Sequence, residues 1–194
     1  MSAVVLVEGP SDAVVLRDLA RRLGLDGPDL SVVSMGGVTN FAQHLRDFAD
    51  RPDVVVTGLC DGGEVRFVAG ALRRTGHDVG GRADLERLGF FVCDGDLEDE
   101  LIRALGTDTV VDVVTREGEL GLLHTFQQQP AQRDRSLHEQ LHRFCSTKSG
   151  RKVRLAGALA AELSLDAVPA PLLGVLTFAH AGRGGRASAR HETR

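Results

Sequence analysis

The first hundred residues alternate short apolar runs with amphipathic stretches. Residues 3–7 (AVVLV) form an unbroken apolar run rich in β-branched side chains, the pattern of a strand buried on both faces. Glu8 ends the run and Gly9-Pro10 turns the chain. Val15, Leu16, Leu19 and Leu23 then recur at helical spacing up to Gly24, with Ser11 or Asp12 placed to cap that helix. The same order returns along the chain. Residues 30–34 predict a second strand, followed by a glycine loop at 36–40 and a short helix from about 41 to 49. Residues 53–59 predict a third strand running into Cys60-Asp61-Gly62-Gly63-Glu64, ahead of a helix bearing Phe67, Val68 and Leu72. Past a loop holding Gly80-Gly81, residues 88–93 predict a fourth strand, and the acids from Asp94 to Glu100 open a helix through Leu101, Ile102 and Leu105.

Strands and helices alternating at this spacing predict an α/β fold, a Rossmann-like and mostly parallel sheet with helices on both faces. From Thr107 onward only helical patterns occur, at 110–114, 120–126, 137–144, 153–163 and 172–179. The expected organisation is an α/β core over 1–106, a helical C-terminal cap over 107–181 packed on it, and a disordered tail over 182–194, which is short of apolar residues.

With 194 residues and 42% hydrophobic content, the chain suits a single domain with a sizeable core. No run reaches the ~18 apolar residues of a membrane span, and Glu8 interrupts any signal-peptide pattern, so a cytoplasmic protein with no membrane contact is expected. Cys60, Cys93 and Cys145 are widely spaced and odd in number, which supports neither a disulfide framework nor a zinc site. A net charge of -4 argues against a passive nucleic-acid coat, and 4% aromatics, all Phe, leave little material for base stacking. The charge is uneven, however. Residues 132–154 carry seven basic residues against two acids, and Arg133, Arg135, Arg143, Arg151 and Arg154 from this stretch are candidates to grip a nucleic-acid backbone.

Chemistry is suggested by the strand ends. Strands one, three and four finish on Glu8, Asp61 and Asp94, which parallel strands carry to one edge; Asp12, Glu64, Asp96 and Glu98 stand around them. So many carboxylates in one place call for a cation, and an oxygen-only ligand set favours Mg²⁺ or Mn²⁺ over Zn²⁺. Glu8, Asp12, Asp61, Asp94, Asp96 and Glu98 are the candidate ligands. Singly, each of Asp12, Asp96 and Glu98 reads as a helix cap or dipole partner; it is the convergence of acids on one edge that points to a site. The chain's only lysines, Lys148 and Lys152, lie in the basic stretch of a protein that otherwise uses arginine, so a compact point charge is expected beside phosphate there. His138 and His142, four apart on one helix face, lack an evident acidic partner and are read as surface or phosphate contacts.

Glu8-Gly9-Pro10-Ser11-Asp12 after a buried strand resembles the first Toprim motif, E-G-x-x-D, and Asp61 resembles the start of its D-x-D motif. Gly36 to Asn40 is similar to the intervening glycine loop. Asp96 to Leu101, followed by a helical section and a late lysine, is most similar to the OLD (overcoming lysogenization defect) family of endonucleases. The resemblance implies a Toprim-like core and a DNA endonuclease hydrolysing phosphodiester bonds with two Mg²⁺ or Mn²⁺ ions. One ion would sit near Glu8, Asp12 and Asp61 and the other near Asp96 and Glu98, with Glu8 and Lys148 or Lys152 catalytic. The second acid of D-x-D is replaced by Gly63, and Glu64 is an uncertain substitute. The family's ATPase domain is not found before the first motif, so a separate ATPase chain is an expected partner alongside DNA, and a homodimer is possible. The alternatives are a catalytically weakened Toprim module that binds nucleic acid or an ATPase, and a nucleotidyl or phosphoryl transferase.

Overall fold

The computed structural model describes residues 1–147 and 149–184. Four strands, β1 (Ser2–Val7), β2 (Leu30–Ser34), β3 (Val54–Asp61) and β4 (Phe90–Cys93), form one parallel sheet in the order β2-β1-β3-β4. Leu6 pairs with Val33 on one side and with Gly58 on the other, and Asp61 lies opposite Cys93. Alternate side chains of β1 enter different cores: Ala3, Val5 and Val7 on one face, Val4 and Leu6 on the other. Both faces are buried, which is why this strand reads as an uninterrupted apolar run.

The Val4 and Leu6 face is covered by α2 (Phe41–Phe48), α3 (Val65–Arg74) and α4 (Arg82–Arg87), which contribute Phe41, Val68, Leu72 and Leu85. The opposite face holds α1 (Pro10–Arg22), α5 (Leu97–Leu105), α6 (Thr107–Arg116), α7 (Leu120–Gln127), α8 (Leu137–Ser146), α9 (Ser149–Glu162) and α10 (Ala170–Gly184), whose apolar residues share one core. Within it α1 packs on α9, α5 packs on α8 and α9, and α10 runs back across β1, β3 and β4.

Four local expectations are revised. Gly9, in extended backbone, is the cap of α1, Pro10 opens the helix, and Asp12 at its third position accepts the Gly9 N–H. Residues 82–87, expected in a loop, form α4, so β4 begins at Phe90. The third strand extends past Leu59 to Asp61. The last helix continues to Gly184, past the boundary expected at 182; residues 185–194 and Lys148 lie outside the described residues.

Glycine in the middle of β3 has a steric reason. A Cβ on Gly58 would lie 2.9 Å from the Leu6 carbonyl oxygen and 3.2 Å from the Phe90 ring. The sheet order also fixes where a ligand fits. The chain passes from β1 to β2 on one side and returns to β3 on the other, so the carboxyl ends of β1 and β3 flank the topological switch point, where open α/β sheets bind ligands.

Candidate metal centre

Glu8 stands one residue past β1, in a corner fixed from both sides. The Asp12 carboxylate takes the Gly9 N–H at 2.7 Å, and the glycine loop docks against the other side, with Met35 N–H donating to the Val7 carbonyl at 2.8 Å and Gly37 N–H to the Glu8 carbonyl at 3.1 Å. On the neighbouring strand Asp61 ends β3, and the tight turn Gly62–Glu64 brings the Glu64 carboxylate back towards it. Oxygens of Glu8, Asp61 and Glu64 all lie within 4.8 Å of one another. Glu64 thus supplies the acid that Gly63 does not.

Three half-buried carboxylates this close cannot all stay ionised by themselves. Burial, followed by the charges of Asp12, Asp96, Glu8 and Glu64, pushes the Asp61 carboxyl up to about 8. Burial and the charge and hydrogen bond of Glu8 push Glu64 up to about 7. The donors are all hard oxygens, and their mutual repulsion is what a divalent cation would relieve, so the set fits Mg²⁺ or Mn²⁺.

A second group adjoins the first. Glu98, in the first turn of α5, is 1% exposed, and burial raises its carboxyl above the usual range. The ammonium of Lys152 on α9 forms an ion pair with its Oε2 at 3.2 Å, and neither oxygen has an aligned hydrogen bond among the described residues. Burial works against the Lys152 charge, but Glu98 outweighs it and holds the ammonium above its ordinary value. Asp12, also buried, has its carboxyl raised by burial and lies near enough to Lys152 to feel its charge. Asp96 caps α5 by accepting the Asp99 N–H at 2.9 Å. Burial would raise its carboxyl, but hydrogen bonds from His142 and Asp99 prevail and leave it below the usual range.

Sequence reasoning missed the role of the two histidines. Packing α8 on α5 sets His142 Nε2 at 2.9 and 2.7 Å from the two Asp96 oxygens, and His138 Nε2 at 2.5 Å from Asp99. The Asp96 hydrogen bond raises the His142 imidazole above its ordinary value. Both acidic partners come from another helix, and only the four-residue histidine spacing hinted at them.

Other expected residues fall elsewhere. Asp94 is 81% exposed, and its carboxylate turns to Arg103 at 3.3 Å, while its N–H is taken by Glu100 at 2.7 Å. It therefore stays outside the cluster although it ends the neighbouring strand. Arg151 is 12% exposed, pairs with Glu119 and lies over the Phe144 ring at 4.3 Å. Arg154 pairs with Glu117 and Glu119. Arg151 is thus committed to the helical layer, whereas Arg154 stays at the surface with its charge paired. Arg133 and Arg143 are exposed, and Arg135 faces Glu139 at 3.8 Å. Burial pushes the Cys60 thiol up to about 12 and Cys93 still higher, so neither offers a thiolate.

Residues 1–62 match the model of the OLD-like Toprim domain (overcoming lysogenization defect protein-like, TOPRIM domain). The C-terminal region of the OLD protein of Xanthomonas campestris pv. campestris superposes with a TM-score of 0.73 at 26% identity, over 97% of this chain and 97% of that one. A second structure of that region gives 0.68 at 27% identity, covering 98% of each chain. The C-terminal region of the Burkholderia pseudomallei OLD protein has the same fold, with a TM-score of 0.69 at 22% identity over 93% of this chain and 98% of that one. Comparison with curated protein sequences finds no match.

Proposed function

For a chain that carries an OLD-like Toprim domain and folds like the C-terminal regions of OLD proteins, we propose a divalent-metal-dependent nuclease that hydrolyses DNA phosphodiester bonds. The observation that carries this reading is the convergence of Glu8, Asp61 and Glu64 within 4.8 Å at the switch point of the sheet. Glu64 also favours a working site over a binding-only module, whose motive was the acid missing at Gly63.

Glu8, Asp61 and Glu64 would hold one ion, and Asp96 with Glu98 a second, as Mg²⁺ or Mn²⁺. Bound there, two such ions supply Lewis-acid polarisation of the scissile phosphate and a lowered pKa for the attacking water. The protein does the rest. Asp12 fixes the corner that aims Glu8, His142 orients Asp96, and Lys152 offers a positive charge beside Glu98 where phosphate charge develops. The Lys148 alternative lies outside the described residues. DNA is the proposed substrate, with a separate ATPase chain and a second copy of this chain as proposed partners. Among the described residues no helix is long and apolar enough to cross a membrane.

Plasmid and single-stranded DNA incubated with Mn²⁺, Mg²⁺ or EDTA test the reading. Cleavage is expected with either metal and none with EDTA. Tight DNA binding with no cleavage and no calorimetric Mn²⁺ uptake would replace it with the binding module. A covalent product formed from nucleoside triphosphates would replace it with the transferase.

The histidine clamp gives a separate expectation. His142→Ala should weaken Mn²⁺ binding by ~10–100-fold, the usual cost of losing an outer-shell partner. His142→Gln, whose amide can donate from the position of Nε2, should recover most of it. Titration calorimetry reads both, and equal affinity in all three proteins would remove His142 as a support of the metal site.

A further inference from the structure

The basic stretch expected to hold the DNA backbone is partly committed to ion pairs, since Arg151 and Arg154 neutralise Glu117 and Glu119. Two other arginines share a cavity with the turn that carries two of the clustered acids. Arg66 and Arg73, seven positions apart and so on one side of α3, line a cavity of about 400 Å³ together with the glycine pairs Gly62-Gly63 and Gly80-Gly81. Gly62-Gly63 is the link between Asp61 and Glu64, so the cavity opens beside two of the three clustered acids.

The lining has the character of an anion site. A Cβ added at Gly63 would meet nothing within 4 Å, so on this side the turn leaves its backbone open to a ligand; the Gly80 and Gly81 N–H groups are instead held by the Asp84 carboxylate at 2.6 and 3.2 Å, so the arginines carry the attraction. Arg73 is steadied by donating its Nε–H to the Val79 carbonyl at 2.9 Å and forms no ion pair among the described residues. Arg66 is exposed, lies over the Phe67 ring at 5.0 Å and forms no ion pair among the described residues. A strand of nucleic acid laid over the acids meets repulsion from every phosphate that is not above a cation, and a flanking pair of arginines offsets it. The volume is that of a small-ligand site, ample for one nucleotide unit.

The geometry points to a backbone subsite in this cavity, in which Arg66 and Arg73 take the phosphodiester neighbouring the one that is cleaved. The inference rests on the nuclease reading and adds the side from which the strand enters. Contacts of this kind position the strand without reading its bases.

The test is fluorescence-anisotropy binding of a labelled single-stranded oligonucleotide at salt concentrations from about 50 to 200 mM, with Ca²⁺ replacing Mn²⁺ to suppress turnover. Loss of one phosphate contact should lower the magnitude of the log-log salt slope by ~0.7 in Arg66→Ala. Arg66→Lys keeps the charge and should keep the slope, and Arg66→Ala should raise KM for DNA several-fold. Arg73→Ala also loosens the Val79 loop, so Arg66 is the deciding position. An unchanged slope in Arg66→Ala would overturn the inference. So would a free nucleoside monophosphate competing as strongly as the oligonucleotide, which would place a nucleotide rather than a strand in the cavity. Absence of cleavage by the wild-type protein would count against the nuclease reading alone, because the slope is read without turnover.

Discussion

Glu8→Ala should lower Mn²⁺-dependent DNA cleavage by at least ~10³-fold, the scale of losing a preorganised charge-stabilising element, while leaving the metal-free protein folded. A Glu8 carboxylate oxygen lies within 4.8 Å of oxygens of both Asp61 and Glu64, and its backbone carbonyl is held by the Gly37 N–H of the glycine loop, so the carboxylate is fixed at the centre of the cluster. Its loss also has a signature that a merely structural role would not give. The Asp61 carboxyl is pushed up to about 8 by burial and by neighbouring acids that include Glu8. A carboxyl whose folded pKa is raised favours the folded state fully below its unfolded value near 4 and loses that contribution as pH rises through the folded pKa. The metal-free wild type should therefore lose thermal stability between about pH 4 and about 8, and Glu8→Ala, with one repelling charge removed, should lose less. Cleavage assays and unfolding curves recorded in EDTA at pH 5 and pH 8 check both halves. Activity within tenfold of wild type would remove Glu8 from the chemistry.

Lys152→Met should destabilise the protein by ~3 kcal/mol at pH 8, the lower end for breaking a buried ion pair, because Lys152 is 34% exposed while Glu98 is 1% exposed. For a chain of this size that is a fall of ~6–12 °C in Tm. The mechanism is an uncompensated buried carboxylate, so the penalty depends on pH. Burial already raises Glu98, and losing the ammonium raises it further. The cost is small where Glu98 is protonated and grows as pH rises through its folded pKa. At pH 5 the fall should be much smaller, and the double variant Lys152→Met/Glu98→Gln should recover most of the stability at pH 8. Circular-dichroism melts of the wild type and the two variants read this directly. An equal fall at both pH values would mean that Lys152 acts through packing of its stem, not through its charge.

The features readable from the sequence are those written locally. β1 is buried on both faces, so its apolar run announces a strand, and the corner that follows carries its glycine, proline and acids within five residues. Asp61 was visible for the same reason, as the acid closing an apolar run. What escaped detection is decided by which helices pack together. His138 and His142 meet acids 39 and 46 positions away because α8 lies on α5, and no spacing along the chain encodes that contact. Arg151 and Arg154 add to a count of basic residues, but Glu117 and Glu119, more than thirty positions earlier, face them in the fold. Asp94 ends an apolar run as Asp61 does, yet Arg103 draws it outward. Glu64 needed the tight turn after β3 to reach the cluster, a rotation that alternation of strand and helix does not predict.

The course of α10 bears on how the chain reaches its native state. A Cβ on Gly182 would touch Val55 of β3, one on Gly174 would touch the Phe91 ring of β4, and the Arg183 guanidinium binds the Leu25 carbonyl beyond α1. The last helix thus sits directly against strands formed more than eighty residues earlier. Contacts of such sequence separation are late and slow to form, since the loop-closure entropy is spent before they repay it. During synthesis the α2–α3 side of the sheet can condense first, while on the other side the strip that α10 covers, with Val55 and Phe91, waits for that helix to emerge. The nascent protein passes through a sheet with an uncovered strip, and the interval before α10 docks is when it is most open to aggregation or to capture by a chaperone.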